Sequence, residues 1–183
     1  INYNEIDKDV INALIATEDV RFYKHSGVDG RALIRVFFGL FTNSNSGGGS
    51  TITQQLAKQL YSPSASNIFK RALQKPIEWV IAVKLERMYS KEEIIAMYLN
   101  QFDFLNNAVG IKSAAQVYFN TTADNLSIEQ AATLVGMCKN PSYFNPVRHI
   151  ERTLGRRNVV FDQMRKADMI TREQRDSLSK LPL

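Results

Sequence analysis

The chain has 183 residues, 44% of them hydrophobic and 22% charged, which is an ordinary balance for a globular protein. This length suffices for one compact domain with a sizeable core, and we predict a single domain over residues 1–183. The net charge of +5 favours anionic partners such as nucleic acid, lipid head groups or phosphorylated substrates. Because no basic recognition helix stands out, we expect no nucleic acid partner.

Apolar spacing predicts a mainly helical chain. The first helix should cover residues 7–18, behind Asp7 or Asp9 as a cap, and no strand series with a period of two is present. Cys138, the single cysteine, lies in an apolar run and is expected in the core. A second helix is predicted over residues 29–41, a third from Ile52, a fourth over 76–89 and a fifth after Ser90. Four more are predicted at about 110–119, 127–138, 149–167 and 171–180.

Two adjacent carboxylates end the first predicted helix. Glu18 and Asp19 lie where the helix dipole opposes negative charge, and each repels the other. Both effects make a carboxylate bind a proton more tightly, which suits a general base near neutral pH and is unfavourable for stability. The alternative is that the helix ends a turn earlier and both acids are solvated or paired with Arg21 and Lys24.

The second predicted helix, residues 29–41, is apolar on nearly every side. Its apolar residues are Leu33, Ile34, Val36, Phe37, Phe38, Leu40 and Phe41, interrupted by Arg35 and Gly39. The segment is too short to span a bilayer, so the first interpretation is a buried core helix. The second is a helix lying in a membrane interface, which predicts membrane attachment through residues 33–41.

A glycine-rich loop leads into the third predicted helix in GGGSTITQQLAKQ, residues 47–59. Thr51 and Gln54 have capping-box spacing, so the helix should begin at Ile52. One face should be core, and the other is a solvated surface or an anion or sugar site, since N–H groups at a helix N-terminus attract phosphate. The core face would hold Ile52, Leu56 and Leu60, and the polar face Thr51, Gln54, Gln55 and Lys58. The small, polar residues 42–49 form a candidate gate.

Glu78 lies in QKPIEW, beside a lysine and a proline. If Pro76 is the first helical residue, Glu78 is in the first turn and complements the helix dipole. As a functional residue it would instead join Lys75 beside an anionic substrate.

His25 and His149 lack the spacing of metal ligands, so we assign no histidine metal site. There is also no Ser-His-Asp set and no G-x-S-x-G turn.

Sequence blocks in series give the chain a resemblance to a known family. The blocks are ATEDVRFYKHSGVD (16–29), GGSTITQQLAKQ (48–59), QKPIEWVIAVKLERMYSKEEIIAMYLN (74–100), GIKSAAQVYF (110–119) and LSIEQAATLVGMCKNPSYFNP (126–146). In this order they resemble the motifs of peptidoglycan glycosyltransferases, which are the transglycosylase domains of bifunctional class A penicillin-binding proteins and their monofunctional relatives. The resemblance covers nearly the whole chain.

The resemblance implies a lysozyme-like, mainly α fold, with a large helical lobe and a smaller membrane-associated lobe flanking a cleft. It implies an enzyme that polymerises lipid II into β-1,4-linked glycan strands with inversion and releases undecaprenyl pyrophosphate. The expected location is the outer, periplasmic or extracellular, face of the bacterial cytoplasmic membrane. Expected partners are lipid II, the growing lipid-linked glycan, this membrane and a transpeptidase domain in the full-length chain. Because the sequence begins at Ile1 without a start methionine, we expect an excised domain. The resemblance implies that a segment outside the given residues anchors it to the membrane.

The same resemblance implies the site residues. Glu18 resembles the general base that deprotonates the acceptor GlcNAc 4-hydroxyl. Glu78 resembles the second essential carboxylate, which together with Lys75 organises the donor pyrophosphate. A divalent cation, Mg²⁺ or Mn²⁺, is a further candidate for binding the donor pyrophosphate. The family's substrate-contacting positions match Asp19, Phe22, His25, Gly27, Ser50, Thr51, Gln54, Gln55, Lys58 and Lys75.

The proposed reaction also agrees with the types of residue found at these positions, even when the family resemblance is left aside. A pyrophosphate leaves as a stabilised anion and needs cations and N–H donors more than an acid, whereas attack by a sugar hydroxyl needs a base. The alternative enzyme is a lysozyme-like peptidoglycan hydrolase or lytic enzyme, which requires two carboxyl groups placed across one bond. The third hypothesis is a catalytically silent module that binds lipid-linked sugar.

Several positions depart from the family pattern. They are Gln74 for an Arg, Gln59 for an Asn, Ala96 for a Glu, and Pro76 inside the third motif. Arg71 would substitute for the missing Arg if the helix continued back past Lys75, which Pro76 disfavours. Both carboxylates and both lysines remain, so we expect activity.

Overall fold

The computed structural model describes residues 1–42, 48–61 and 68–183, without the side chains of residues 36, 37, 39–42 and 68–72. This part of the chain consists of helices joined by turns, with one isolated bridge between Asp103 and Val109 and no strand. The mainly helical fold class is therefore confirmed. The helices are α1 (Lys8–Glu18), α2 (Gly30–Thr42), α3 (Ile52–Tyr61), α4 (Ile68–Met88), α5 (Lys91–Gln101), α6 (Gly110–Phe119), α7 (Ile128–Met137), α8 (Ile150–Lys166) and α9 (Arg172–Leu178).

The chain forms two compact units. The discontinuous unit comprises Ile1–Val20 and Leu99–Leu183, and the continuous unit comprises Arg21–Tyr98. Most of the candidate gate, residues 43–47, lies outside the described residues.

The discontinuous unit is built around α1, which packs against α7 and α8. This helix is buried on nearly every side because small and branched apolar residues recur along it. The buried residues are Val10, Ile11, Ala13, Leu14, Ile15 and Ala16. The predicted cap is confirmed, since the Asp7 carboxylate accepts a hydrogen bond from the backbone N–H of Asp9 at 2.8 Å. Cys138 is buried, as predicted.

In the continuous unit α3 packs against α4. The predicted capping box before α5 is confirmed, because Glu93 N–H donates to Ser90 Oγ at 3.2 Å and Ser90 N–H donates to the Glu93 carboxylate at 2.7 Å. The predicted core face of α3 is correct for Ile52 and Leu56, which are fully buried. It is wrong for Leu60, which is 37% exposed near the end of the helix.

Helix α4 differs most from its prediction. It begins at Ile68, not at residue 76, and Pro76 lies inside it. Apolar spacing in residues 76–89 predicts an inward face of Ile77, Val80, Ile81, Leu85 and Met88. Of these, Leu85 is buried, Ile81 is half-buried, and the other three are exposed. Exposed are Ile77, Val80 and Met88, at 58%, 57% and 71%. The buried positions lie at helical spacing and include an acid, namely Glu78, Ala82 and Leu85.

Polar contacts explain why this face of α4 turns inward. Thr53 Oγ1 on α3 donates to Oε1 of Glu86 at 2.6 Å, which fixes the rotation of α4 about its own axis. An apolar-spacing argument has no access to such contacts, so it selected the wrong face.

Helix α2 exposes part of its apolar surface. Ile34 is 59% and Phe38 62% exposed, so the interpretation of this helix as a fully buried core element is wrong at these two positions. Within the described residues, no helix combines the length and the apolar character needed to cross a bilayer.

Candidate active site

Glu18 is the last residue of α1, as the sequence predicts, and Asp19 is the C-cap. The Asp19 N–H donates to the carbonyl of Ile15 at 3.1 Å, and Asp19 is only 8% exposed. The alternative in which the helix ends a turn earlier is therefore wrong. Nε of Arg21 donates to Oδ2 of Asp29 at 3.0 Å, and the suggested pairing of the two acids with Arg21 and Lys24 stays a prediction.

Arg156 on α8 brings a positive charge to the end of α1. Its Nη2 atom lies 3.7 Å from Oε1 of Glu18, and the two side chains are 11% and 16% exposed. Burial lowers the pKa of the Arg156 guanidinium, and the Glu18 charge acts in the opposite direction. Sequence reasoning missed Arg156, because a pairing across such a long stretch of chain leaves no local pattern.

Gly27 forms a tight approach between a turn and α4. Its φ of +93° favours glycine, and an added Cβ would lie 2.8 Å from the backbone carbonyl carbon and oxygen of Ala82. The hydroxyl of Thr51 donates to the Gly27 carbonyl at 2.6 Å. The turn is thereby fastened to the N-terminus of α3.

Lys91 connects several residues of the first motif. Its Nζ atom donates to the His25 carbonyl and to Oε1 of Glu86, both at 2.8 Å, and lies 4.2 Å from the centroid of the Phe22 ring. Phe22 is fully buried, and its ring centroid lies 6.2 Å from that of His25. Phe22 and His25 thus belong to one packed cluster. The third sequence block contains Lys91, but its composition gave no reason to single it out.

The N-terminus of α3 contains the predicted capping box. Gln54 N–H donates to Thr51 Oγ1 at 3.1 Å, and Thr51 N–H donates to Gln54 Oε1 at 3.0 Å. Both residues are 2% exposed, so the alternative of a solvated surface is wrong for these two positions. Gln54 Nε2 is buried with no hydrogen-bond partner within the described part of the chain. Gln55 accepts a hydrogen bond from the Tyr98 hydroxyl at 3.1 Å, and Lys58 is exposed.

A lysine and a buried acid meet on α4. Nζ of Lys75 donates to Oε2 of Glu78 at 2.8 Å, and the side chains are 48% and 4% exposed. The same Nζ lies 3.5 Å from the hydroxyl oxygen of Ser50, just before α3. A cation is therefore held at the surface of the continuous unit by an acid that is itself almost inaccessible to water.

The prediction that Glu78 lies in a first helical turn is wrong. Three turns of helix precede it, so it does not compensate a helix N-terminus. The helix does continue back past Lys75, which is the condition set for Arg71 to replace the missing family Arg at position 74, but the side chain of Arg71 lies outside those described.

Among the residues that the structure describes, no cluster of three or more His, Cys, Asp or Glu side chains has an arrangement suited to a metal ion. The divalent cation at the donor pyrophosphate remains a prediction.

Comparison with known proteins gives the class. The Transglycosylase family matches residues 1–165. Penicillin-binding protein 2a of Streptococcus pneumoniae is 38% identical over 183 residues, which is 100% of this chain and 24% of that protein. Penicillin-binding protein 1A of Aquifex aeolicus is 40% identical over 100% of this chain and 25% of that protein. Penicillin-binding protein 1A of Escherichia coli is 40% identical over 96% of this chain and 20% of that protein.

The chain therefore belongs to the transglycosylase family, and the peptidoglycan glycosyltransferase class that its motifs indicate is confirmed. The mainly helical fold agrees with this class. The chain spans a quarter or less of the length of these curated relatives, 20–25%.

Proposed function

We propose that this chain polymerises lipid II into β-1,4-linked peptidoglycan strands, with inversion at the anomeric carbon and release of undecaprenyl pyrophosphate. The observation that carries the proposal is the Lys75–Glu78 pair, in which a buried carboxylate holds a half-exposed ammonium at 2.8 Å. A fixed cation is what a departing pyrophosphate requires, because negative charge accumulates on its oxygens as the bond to the sugar breaks.

The donor pyrophosphate is the ligand for this cation. An ammonium group has three N–H donors, and the contacts with Glu78 and Ser50 at 2.8 and 3.5 Å use two of them. The remaining donor is available for a phosphate oxygen. Lys58, exposed in the last turn of α3, is a second cation for the same anionic group.

Glu18 is the base in this proposal. Its carboxylate takes the proton of the acceptor 4-hydroxyl while that oxygen attacks C1 of the donor sugar. The C1–O bond to pyrophosphate breaks on the opposite face, and its electron pair leaves with the pyrophosphate. The position of Glu18 at the C-terminal end of α1, with its side chain 16% exposed, supports the role, because a base must be within reach of the hydroxyl that it deprotonates.

A divalent cation would bind at the donor pyrophosphate, beside Lys75 and Glu78. Mg²⁺ in phosphate-handling sites is commonly held by one or two carboxylates together with the substrate phosphates. Here the pyrophosphate oxygens would hold it, joined by Glu78 if the hydrogen bond between Lys75 and this buried carboxylate opened, and it would neutralise part of the leaving-group charge. Chelation during the assay tests this point.

We also propose that the chain acts at the outer face of the cytoplasmic membrane, where lipid II presents its sugars. Support comes from the exposed Ile34 and Phe38 on α2, an amphipathic helix of the kind that lies in a membrane interface. The additional length of the relatives is compatible with a transpeptidase domain, which stays a prediction.

Purified lipid II tests the proposal directly. Glycan polymer formed by the wild type, and its loss in Glu18→Gln with lipid II binding retained, is the expected result. Cleavage of preformed glycan without any polymerisation would instead favour the lysozyme-like hydrolase. Binding of lipid II with neither reaction would leave a silent binding module.

A further inference from the structure

Arg156 has no assigned role in the reaction, although it lies against the proposed base. We propose that Arg156 is a positioning residue that holds the Glu18 carboxylate in a single geometry through the charge of its guanidinium. The inference rests on the proposed function of Glu18 as general base. It adds a residue of α8 to the acceptor side of the reaction.

The distance between the two groups defines how Arg156 acts. At 3.7 Å, Nη2 is too far from Oε1 for a good hydrogen bond but close enough for a strong charge interaction between groups that are 11% and 16% exposed. The guanidinium therefore stabilises the carboxylate without requiring a short hydrogen bond to the oxygen that accepts the substrate proton. A short bidentate contact would stabilise the anion more and would make it a weaker base.

The Arg156 side chain is held in place from other directions. Its Nε atom donates to the carbonyl of Gly136 at 3.4 Å, and its Cζ atom lies 5.8 Å from the centroid of the Phe144 ring. An arginine with its stem and head both fixed loses little further freedom when it orients a neighbour. The arrangement fits a role in holding Glu18 in a single geometry.

Gly136 on α7 provides the space that Arg156 occupies. A Cβ added to this glycine would lie 3.1 Å from Cγ of Arg156, which is tighter than an ordinary contact. A glycine inside a helix costs about 1 kcal/mol relative to alanine. Its presence beneath Arg156 is explained if that side chain must pass close to α7 to reach Glu18.

Few other charges face this pair from the packed elements. The Cys138 thiol at the end of α7 interacts with Arg156, and Asp19 follows Glu18 in the chain. Glu129, at the start of α7, interacts with Asp9 and Arg157. Arg156 forms an ion pair with Glu18 within this unit, so its removal should be felt by that carboxylate.

The test is the pH dependence of lipid II polymerisation for Arg156→Gln, Arg156→Lys and Gly136→Ala. Removal of the positive charge beside the proposed base should move the acid limb of kcat/KM to higher pH in Arg156→Gln. At pH values above that limb, loss of positioning should lower kcat about tenfold. Arg156→Lys should recover most of the acid-limb position, because it restores the charge.

Gly136→Ala perturbs the same pair without changing any charge. The alanine displaces Arg156, so it should lower kcat while leaving the chain folded. The matched control is Arg152→Gln, one turn earlier on α8, because Arg152 is exposed and stacks on Tyr143 at 4.4 Å instead of facing Glu18. This control should keep the wild-type pH profile.

The outcomes separate this inference from the proposed function. A wild type that makes no polymer from lipid II would remove the proposed function, and with it the basis for this role. A wild type that does polymerise, with an Arg156→Gln variant whose acid limb and kcat match those of Arg152→Gln, would overturn the role of Arg156 alone. Circular dichroism of each variant shows whether a lost activity reflects lost folding, and Arg156→Lys decides the case if Arg156→Gln does not fold.

Discussion

Nζ of Lys75 forms a salt bridge with Oε2 of Glu78 at 2.8 Å, although the lysine side chain is 48% exposed and the glutamate side chain only 4%. This asymmetry makes the acid the fixed partner and the lysine the partner that is able to meet a ligand. Loss of the lysine leaves an almost buried carboxylate without its cation, whereas loss of the acid leaves a solvated lysine without its anchor. The two residues should therefore respond differently to substitution.

Lys75→Met should abolish most turnover, because the departing pyrophosphate loses its fixed cation. A fall in kcat of about 100-fold is expected for loss of one electrostatic contact to the transition state. Stability should also fall, by about 2–3 kcal/mol, since the 4% exposed Glu78 carboxylate is left without its cation, although water at the half-exposed lysine position reduces the cost. Lipid II turnover and urea denaturation measure the two effects.

Lys84→Met is the matched control for this prediction, because Lys84 is an exposed lysine on the same helix. It should keep wild-type turnover. Equal activity of Lys75→Met and Lys84→Met would contradict the role of Lys75 at the pyrophosphate. In Glu78→Gln we expect a similar loss of kcat with a smaller change in stability, since a neutral amide needs no cation.

Gly27→Ala should destabilise the protein. The substitution combines a φ of +93° with a Cβ placed 2.8 Å from the backbone of Ala82, and a neighbouring backbone cannot move aside cheaply. We expect a loss of about 2–3 kcal/mol, in the range for overpacked sites. Thermal or urea denaturation measures it.

Gly30→Ala is the control for Gly27. Gly30 is the first residue of α2, and a Cβ there would meet nothing within 4 Å. This substitution should be neutral or stabilise by a few tenths of a kcal/mol, since it reduces the freedom of the unfolded chain. Equal effects at the two glycines would show that close approach to α4 does not matter.

The sequence predicts the local features of this fold, such as helix caps, better than it predicts which face of each helix is buried. Caps at Asp7 and Ser90 depend on neighbouring residues alone and are confirmed. The inward face of α4 depends on partners distant in sequence, such as the Thr53–Glu86 hydrogen bond, and the apolar pattern selected the wrong side. Pro76 misled the prediction of the helix start because a first-turn proline is the commoner case.

The candidate site shows the same division. Motif order was enough to name Glu18, Lys75 and Glu78, and two of these prove to be bonded to each other. Arg156 and Lys91 could not be found in this way. Each acts on a residue of an earlier block through the folded chain, and a single sequence carries no signal for such pairs.

Asp29 should give the protein an acid-sensitive contact. It is 4% exposed, and its carboxylate accepts hydrogen bonds from Arg31 N–H and Arg21 Nε, both at 3.0 Å. Burial alone would raise the pKa of Asp29, but backbone N–H groups of Ala32 and Arg31 and the Arg21 charge hold it below its usual value of 3.8. A lowered pKa in the folded state stabilises the protein above pH 3.8, and this contribution is lost as the pH falls below that value.

Two variants separate the charge of Asp29 from its hydrogen bonds. Asp29→Ala removes both and should cost about 1–2 kcal/mol at neutral pH. Asp29→Asn keeps an acceptor for the backbone, so its loss should be smaller. Urea denaturation at several pH values should show the difference between wild type and Asp29→Asn disappearing below pH 3.8. A constant difference at all pH values would contradict the ionic contribution.

Membrane binding should depend on the exposed apolar residues of α2. Flotation with anionic liposomes should show weaker binding for the double variant Ile34→Ser and Phe38→Ser, since these side chains are 59% and 62% exposed. Burial of two such side chains contributes about 3–6 kcal/mol, so binding should fall by at least 100-fold. Val147→Ser is the control, because Val147 is 69% exposed in the other unit. Equal flotation of both variants would remove α2 as the attachment site.

Pro76→Ala should stabilise the protein and lower its activity. Proline inside a helix removes one backbone hydrogen bond and costs about 3 kcal/mol relative to alanine, so the variant should gain up to that amount. A proline inside a helix commonly causes a kink, which here would lie one residue from Lys75. A straighter α4 should move the Lys75 ammonium away from Ser50, which it now approaches to 3.5 Å, and kcat should fall with little change in folding.

Differential scanning calorimetry and lipid II turnover test the two halves of this prediction about Pro76. Pro141→Ala is the comparison, because Pro141 lies in a turn outside any helix. There the substitution should lower stability by about 0.5–1 kcal/mol, since it frees the unfolded chain. If Pro76→Ala is as active as the wild type, the proline is no more than a tolerated cost of the sequence. If its stability falls, such a kink is part of how α4 packs against α3.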